Sequence, residues 1–268
     1  MTRHGSRAVR ALAALLIAAG LLTLADAGTT LLWQEPISAL YAQLKQESLG
    51  GDLRALDRAK PAAAAEQTLA RLREESRRIA YLAGALEGHA RAGSAVGRIR
   101  IPAIGASFVV VKGTGTSELQ NGPGIYSQTS FPGIGGTTAI AGHRTTYLAP
   151  FRHIDALRPG QRIVLEMPYA RFTYTVVGSR VVLPTDVSVI GPAGYPRLVL
   201  SACTPLFSAS HRIVVFARLT STAPLGAARP SQPIMRAGTA AAAATGDERG
   251  GLPTVLKASQ RLLPPLVS

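Results

Sequence analysis

Between residues 97 and 220 the chain breaks into short apolar, β-branched segments separated by Gly and Pro, with no helical period running through them. The segments are RIRIPAI (98–104), SFVVV (107–111), TTAIA (137–141), RIVLEM (162–167), FTYTVVGSRVVL (172–183), LVLSA (198–202) and RIVVFARL (212–219). Seven or eight strands in some 120 residues leave room for a β-barrel or a sandwich and little else. The predicted fold class is therefore mainly β for this region.

The N-terminus is of another kind. Arg3, Arg7 and Arg10 precede an apolar run over residues 11–33 in which Asp26 is the only charge. As a helix that run spans roughly 34 Å, enough for a hydrocarbon core of about 30 Å. It reads as a single-pass membrane anchor over residues 1–34, with Trp33 at the outer interface. The flanking arginines place the N-terminus inside and the rest of the chain outside the cell. Ala25, Asp26 and Ala27 also have the small-x-small form of a signal-peptide cleavage site. Both readings export the protein and argue against a nucleic-acid partner.

Residues 35–96 are rich in Ala, Leu, Arg and Glu, and Ile79, Leu82, Ala83 and Leu86 keep helical spacing, predicting a helical extracellular spacer with one packed stripe. Residues 221–268 are rich in Ala, Pro and Gly, a composition with too little to bury, and read as a disordered tail. The formal net charge is +14, and residues 97–220 hold 12 basic side chains against 4 acidic ones. An anionic surface or polymer outside the cell suits that balance.

The single cysteine, Cys203, excludes an internal disulfide and any multi-cysteine metal site. It directly follows the apolar run 198–202, and His143 follows TTAIA after Gly142, so both stand at strand ends. Two strand ends can bring a thiol and an imidazole together, the imidazole serving as base or as partner of a thiolate. Arg212, at a strand start, could steady an oxyanion or hold substrate carbonyls. His211 alternates with Arg212, so only one of them faces a groove, and His153 reads as a surface position. Each group also has a plain structural reading: buried thiol, turn histidine, solvated arginine.

The order TAIAGHRTTYLAPF, then LVLSACTPLFSASHRIVVFARL, preceded by RIRIPAI and NGPGIY, resembles a sortase of the class E type over about residues 97–220. The resemblance implies an eight-stranded β-barrel on an N-terminal membrane anchor. It implies Cys203 as nucleophile, His143 as general acid/base and Arg212 as the residue steadying oxyanion and substrate. Tyr147 matches a tyrosine associated in that class with preference for LAXTG over LPXTG sorting signals. The implied reaction is cleavage of such a signal after Thr through a Cys thioacyl intermediate. The acyl group then passes to a peptidoglycan-precursor amine, with no metal or cofactor. Where sortases read TLXTC, this chain has Val199, Leu200, Ser201, Ala202 and Cys203. L,D-transpeptidases and papain-like peptidases fit less well, since the chain has no SHGC-like motif and its cysteine follows its histidine. A reading of another kind is a catalytically silent exported barrel that binds sorting peptides or anionic wall polymer.

Overall fold

The computed structural model describes residues 3–32 and 36–230. Helix α1 (Arg3–Leu32) contains a 20-residue stretch, Val9–Gly28, that is long and apolar enough to cross a membrane, and none of it is buried. Trp33 and the segment 231–268 lie outside the described residues.

Eight strands close into a barrel: β1 (Ala95–Ile101), β2 (Ala106–Lys112), β3 (Gly124–Ile125), β4 (Thr137–Ala141), β5 (Arg162–Met167), β6 (Ala170–Val182), β7 (Arg197–Thr204) and β8 (His211–Pro224). Their order around the barrel is β1-β2-β3-β4-β7-β8-β6-β5, and β5 pairs back onto β1. Alternation sets the two faces. Ile99, Ile140, Ile163, Leu165, Phe172, Leu198, Leu200 and Val215 turn inward into one apolar core. Ala139, Val199 and Val214 turn outward, where Val189 from the β6–β7 connection covers them.

The strand expected over residues 98–104 is cut short at Ile101. Pro102 supplies no N–H to a ladder and opens a 3-10 turn, closed by Gly105 at a positive φ of 66°. Strand β3 is only two residues long, too short for any alternation to show in the sequence.

The helices between α1 and the barrel pack on the barrel. They are α2 (Pro36–Arg58), α3 (Ala63–Arg71) and α4 (Glu75–His89). A short helix α5 (Thr116–Asn121) precedes β3. Leu49 and Leu53 of α2 are buried against Ala95, Val109 and Val111. Strand β2 pairs with β3 only at Val111 and Lys112, which leaves the peptide groups of Val109 open on that side. The Gln46 side chain serves both: Val109 N–H donates to its Oε1 (2.7 Å) and its Nε2 donates to Val109 O (3.1 Å). In α4, Ile79 and Ala83 enter the barrel core, with Leu82 and Leu86 packed beside them.

The expected tail boundary at residue 221 falls inside β8, which runs on to Pro224 beside the start of β6. A 3-10 turn at Gly226–Ala228 follows, and Ala228 is fully buried. The compact unit that holds the barrel therefore reaches Pro230.

Candidate active site

Strand register brings the candidate residues to one place. Strands β4 and β7 run parallel with Ala141 level with Ser201, and β7 and β8 run antiparallel with Cys203 directly opposite Arg212. Cys203 has the parity of the outward-facing Val199, and Arg212 that of the outward-facing Val214. Both side chains thus stand on the outer face as cross-strand neighbours, a pairing that sets Cβ atoms about 5 Å apart. The last ladder bond between β4 and β7 runs from Gly142 N–H to Ser201 O (3.0 Å). His143 lies one residue beyond it, two past Ala141 as Cys203 is two past Ser201. The thiol therefore sits between the imidazole strand on one side and the guanidinium strand on the other.

Local packing fixes His143. A Cβ on Gly142 would stand 2.6 Å from the Phe151 ring, so only glycine lets that buried ring lie against the chain here. Phe151 N–H in turn donates to His143 O (3.0 Å). The imidazole Nε2 is buried without a hydrogen-bond partner among the described residues, and burial holds the ring below its ordinary value of 6.5. The unfolded chain takes up this proton first as pH falls through about 6.5. The stability present above that value is therefore lost progressively as pH falls toward the folded value. Denaturant titrations across about pH 5 to 8 should show this slope, and His143→Gln should flatten it. Equal slopes in the two proteins would remove burial of the imidazole as its source.

Arg212 is half-buried, and its Nη1 donates to Ala209 O and His211 O, both at 3.0 Å. It makes no ion pair among the described residues, so its positive charge is not neutralised by a carboxylate. His211 lies level with Thr204 and is exposed, its Nδ1 beside Ser210 Oγ (3.1 Å). His153 is exposed as well. His143 is the histidine that follows β4, the strand paired in parallel with the cysteine strand β7.

Tyr147 lies against His143 in a tilted ring contact, with centroids 5.2 Å apart and planes at 38°. It opens three consecutive non-glycine residues at positive φ, Tyr147, Leu148 and Ala149 (50°, 62° and 40°). Such a run is costly and persists only where surroundings hold it. Part of that hold comes from α2: Tyr147 N–H donates to Ser38 Oγ (3.4 Å), and Tyr41 meets the Tyr147 ring edge-on at 6.4 Å.

Arg144, absent from the sequence reading, is 4% exposed and reaches across to the cysteine strand. Its Nη1 donates to Thr204 Oγ1 (3.2 Å) and Cys203 O (3.4 Å). Its Nε donates to Arg152 O (3.2 Å), and Nη2 pairs with Asp155 Oδ1 (2.9 Å). The one visible signal was its place directly after His143; no periodicity marks a loop arginine as buried. The positions departing from TLXTC are packing sites, Val199 being fully buried and Ala202 nearly so.

Residues 99–220 match the family model for the Sortase domain. The chain is 31% identical over 130 residues to Sortase D of Bacillus subtilis, covering 47% of this chain and 64% of that protein. The chain belongs to the sortase family. Sortases are cysteine transpeptidases. Sortase SrtE1 of Streptomyces coelicolor is 33% identical over 106 residues, 35% of this chain and 30% of that protein. The chain thus spans about two thirds or less of these curated relatives. Sortase E from Streptomyces avermitilis, a solved structure, is 38% identical over 52% of this chain and 97% of its own, with a TM-score of 0.47.

Proposed function

We propose that this sortase is a membrane-anchored transpeptidase whose nucleophile is Cys203, with His143 as acid/base and Arg212 at the oxyanion. The observation that supports the reading is the register, which sets Cys203 opposite Arg212 and ends the β4–β7 pairing at Ala141 and Ser201, two residues before His143 and Cys203. An imidazole kept neutral by burial takes the thiol proton. The sulfur then bonds to the Thr carbonyl carbon of an LAXTG- or LPXTG-type signal, and the Arg212 guanidinium meets the charge developing on the carbonyl oxygen. As the Thr–Gly bond breaks, His143 gives its proton to the departing amine, leaving a thioacyl enzyme. A peptidoglycan-precursor amine attacks this thioester, loses its proton to His143, and the thiolate leaves.

The connections flanking the site expose Leu183 and Val187 on one side and Leu206 and Phe207 on the other, an apolar rim suited to the leucine of such a signal. The Tyr147 ring, 5.2 Å from the imidazole, supports a role for this residue in favouring alanine over proline after that leucine. The anchor α1 runs from inside to outside and leaves the barrel on the extracellular side, next to secreted substrates and wall precursors.

The test uses the full chain in detergent with LAXTG and LPXTG peptides and an amine acceptor, product masses being read directly. A ligated product and a thioacyl adduct on Cys203 are expected, with LAXTG preferred. No adduct with either peptide from folded protein would leave a barrel that only binds.

A further inference from the structure

We propose that Arg144 is a positioning residue that holds the imidazole and thiol strands together beyond the end of their backbone ladder. The inference rests on the transpeptidase reading and assigns that site a further member. Backbone pairing between β4 and β7 stops at Gly142 N–H to Ser201 O, yet both reactive side chains come later, at His143 and Cys203. Past the last ladder bond two parallel strands have nothing in their own backbones to keep them side by side. The residue next to His143 supplies the missing link. Arg144 Nη1 reaches the carbonyl of Cys203 itself and the hydroxyl of Thr204, so one guanidinium extends the pairing by two residues.

The same guanidinium is fixed from behind. Nε is held by Arg152 O and Nη2 by the Asp155 carboxylate, both in the segment that follows the His143 loop. The planar fork thus ties three pieces of chain together: the His143 loop, the Arg152–Asp155 segment and the cysteine strand. A lysine carries the charge but cannot present donors in three directions from one plane. Burying an arginine carries a desolvation cost that an apolar side chain would avoid. The geometry it imposes on the nucleophile's carbonyl is the return for that cost, since misplacing reacting groups by about 1 Å lowers rates by about a hundredfold.

Two readouts on the full chain in detergent test this. In the first, Arg144→Lys and Arg144→Gln should lower kcat for peptide ligation about tenfold or more, with KM changed less than about twofold. In the second, which needs no sorting peptide, Cys203 alkylation by iodoacetamide is compared among wild type, His143→Gln and Arg144→Lys. The Arg144→Lys rate should fall most of the way to that of His143→Gln, because an imidazole that has drifted from the thiol no longer helps form the thiolate. Where the Arg144 variants do not fold, Asp155→Ala removes one support at a half-exposed carboxylate and should shift both readouts in the same direction by a smaller factor. Wild-type kcat and wild-type alkylation in a folded variant would overturn the role, as would a loss confined to KM. A wild-type protein that alkylates normally but ligates no peptide would overturn the transpeptidase reading instead, while the alkylation comparison still decides the role of Arg144.

Discussion

Turnover should vanish in Cys203→Ala and fall about a hundred- to a thousandfold in Arg212→Ala, with the barrel intact in both. The first result follows from the proposed mechanism, in which that sulfur carries the acyl group. The second rests on where Arg212 spends its hydrogen bonds. Its Nη1 donates to two carbonyls of its own loop, Ala209 and His211, which orient the guanidinium without neutralising it. Its neighbour across the sheet is Cys203, so in the proposed mechanism a substrate carbonyl attacked by that sulfur develops its negative charge beside an oriented cation. Losing one such donor costs about 3 to 4 kcal/mol of transition-state stabilisation. Folding should suffer little, because the side chain is half-buried and makes no ion pair among the described residues. The loss should appear in kcat, and Arg212→Lys should recover part of it, since charge without the planar fork serves an oxyanion better than neither. Unchanged kcat in a folded Arg212→Ala protein would end its assignment to the oxyanion.

Legibility in the sequence tracked how many residues each feature uses. Strands β4 and β5 are long enough for composition and alternation to mark both ends, and their observed limits match the apolar runs. Strand β3 pairs over two residues, and two residues have no period. That Cys203, His143 and Arg212 lie at strand ends was legible because strand ends are local features, and the β7–β8 ladder sets Cys203 opposite Arg212. Arg144 was not, because its partners, Cys203, Thr204, Arg152 and Asp155, are gathered by a loop whose path no pattern encodes. Ser38 and Tyr41 were hidden for a related reason. Helical spacing tells which face of α2 is apolar but not what that face meets, and here its first turns reach the Tyr147 loop. The tail boundary fell inside β8 because the turn that follows this strand is held through its carbonyls, and every residue type presents the same carbonyl.

Those carbonyls make truncation the sharpest test of the fold. Cutting the chain after Thr220 should lower the thermal midpoint by about 10 °C relative to cutting it after Pro230. Residues 221–224 pair with the start of β6, from Ser221 opposite Thr173 to Pro224 opposite Ala170. Leu225 N–H donates to Tyr169 O (2.8 Å), and Ala228 is fully buried in the main core. The largest contribution comes from Arg78 of α4, whose guanidinium is buried and bonded entirely to carbonyl oxygens. Nε donates to Ala228 O (3.0 Å), Nη2 to Ala227 O (2.8 Å) and Arg229 O (2.9 Å), and Nη1 to Leu69 O. The shorter truncation removes three of these four acceptors and leaves a cation inside the protein with most of its donors unmet. Stripping the partners from a buried charge costs about 3 to 5 kcal/mol, against a total stability of about 5 to 15 kcal/mol for a domain. The cause can be separated from the lost strand pairs by Arg78→Met. In the chain ending at Thr220 the methionine removes the stranded charge and should raise the midpoint. In the chain ending at Pro230 it leaves three carbonyls without donors and should lower it. The same sign in both backgrounds would show that the arginine and the last turn are not coupled, and that the strand pairs alone account for the loss.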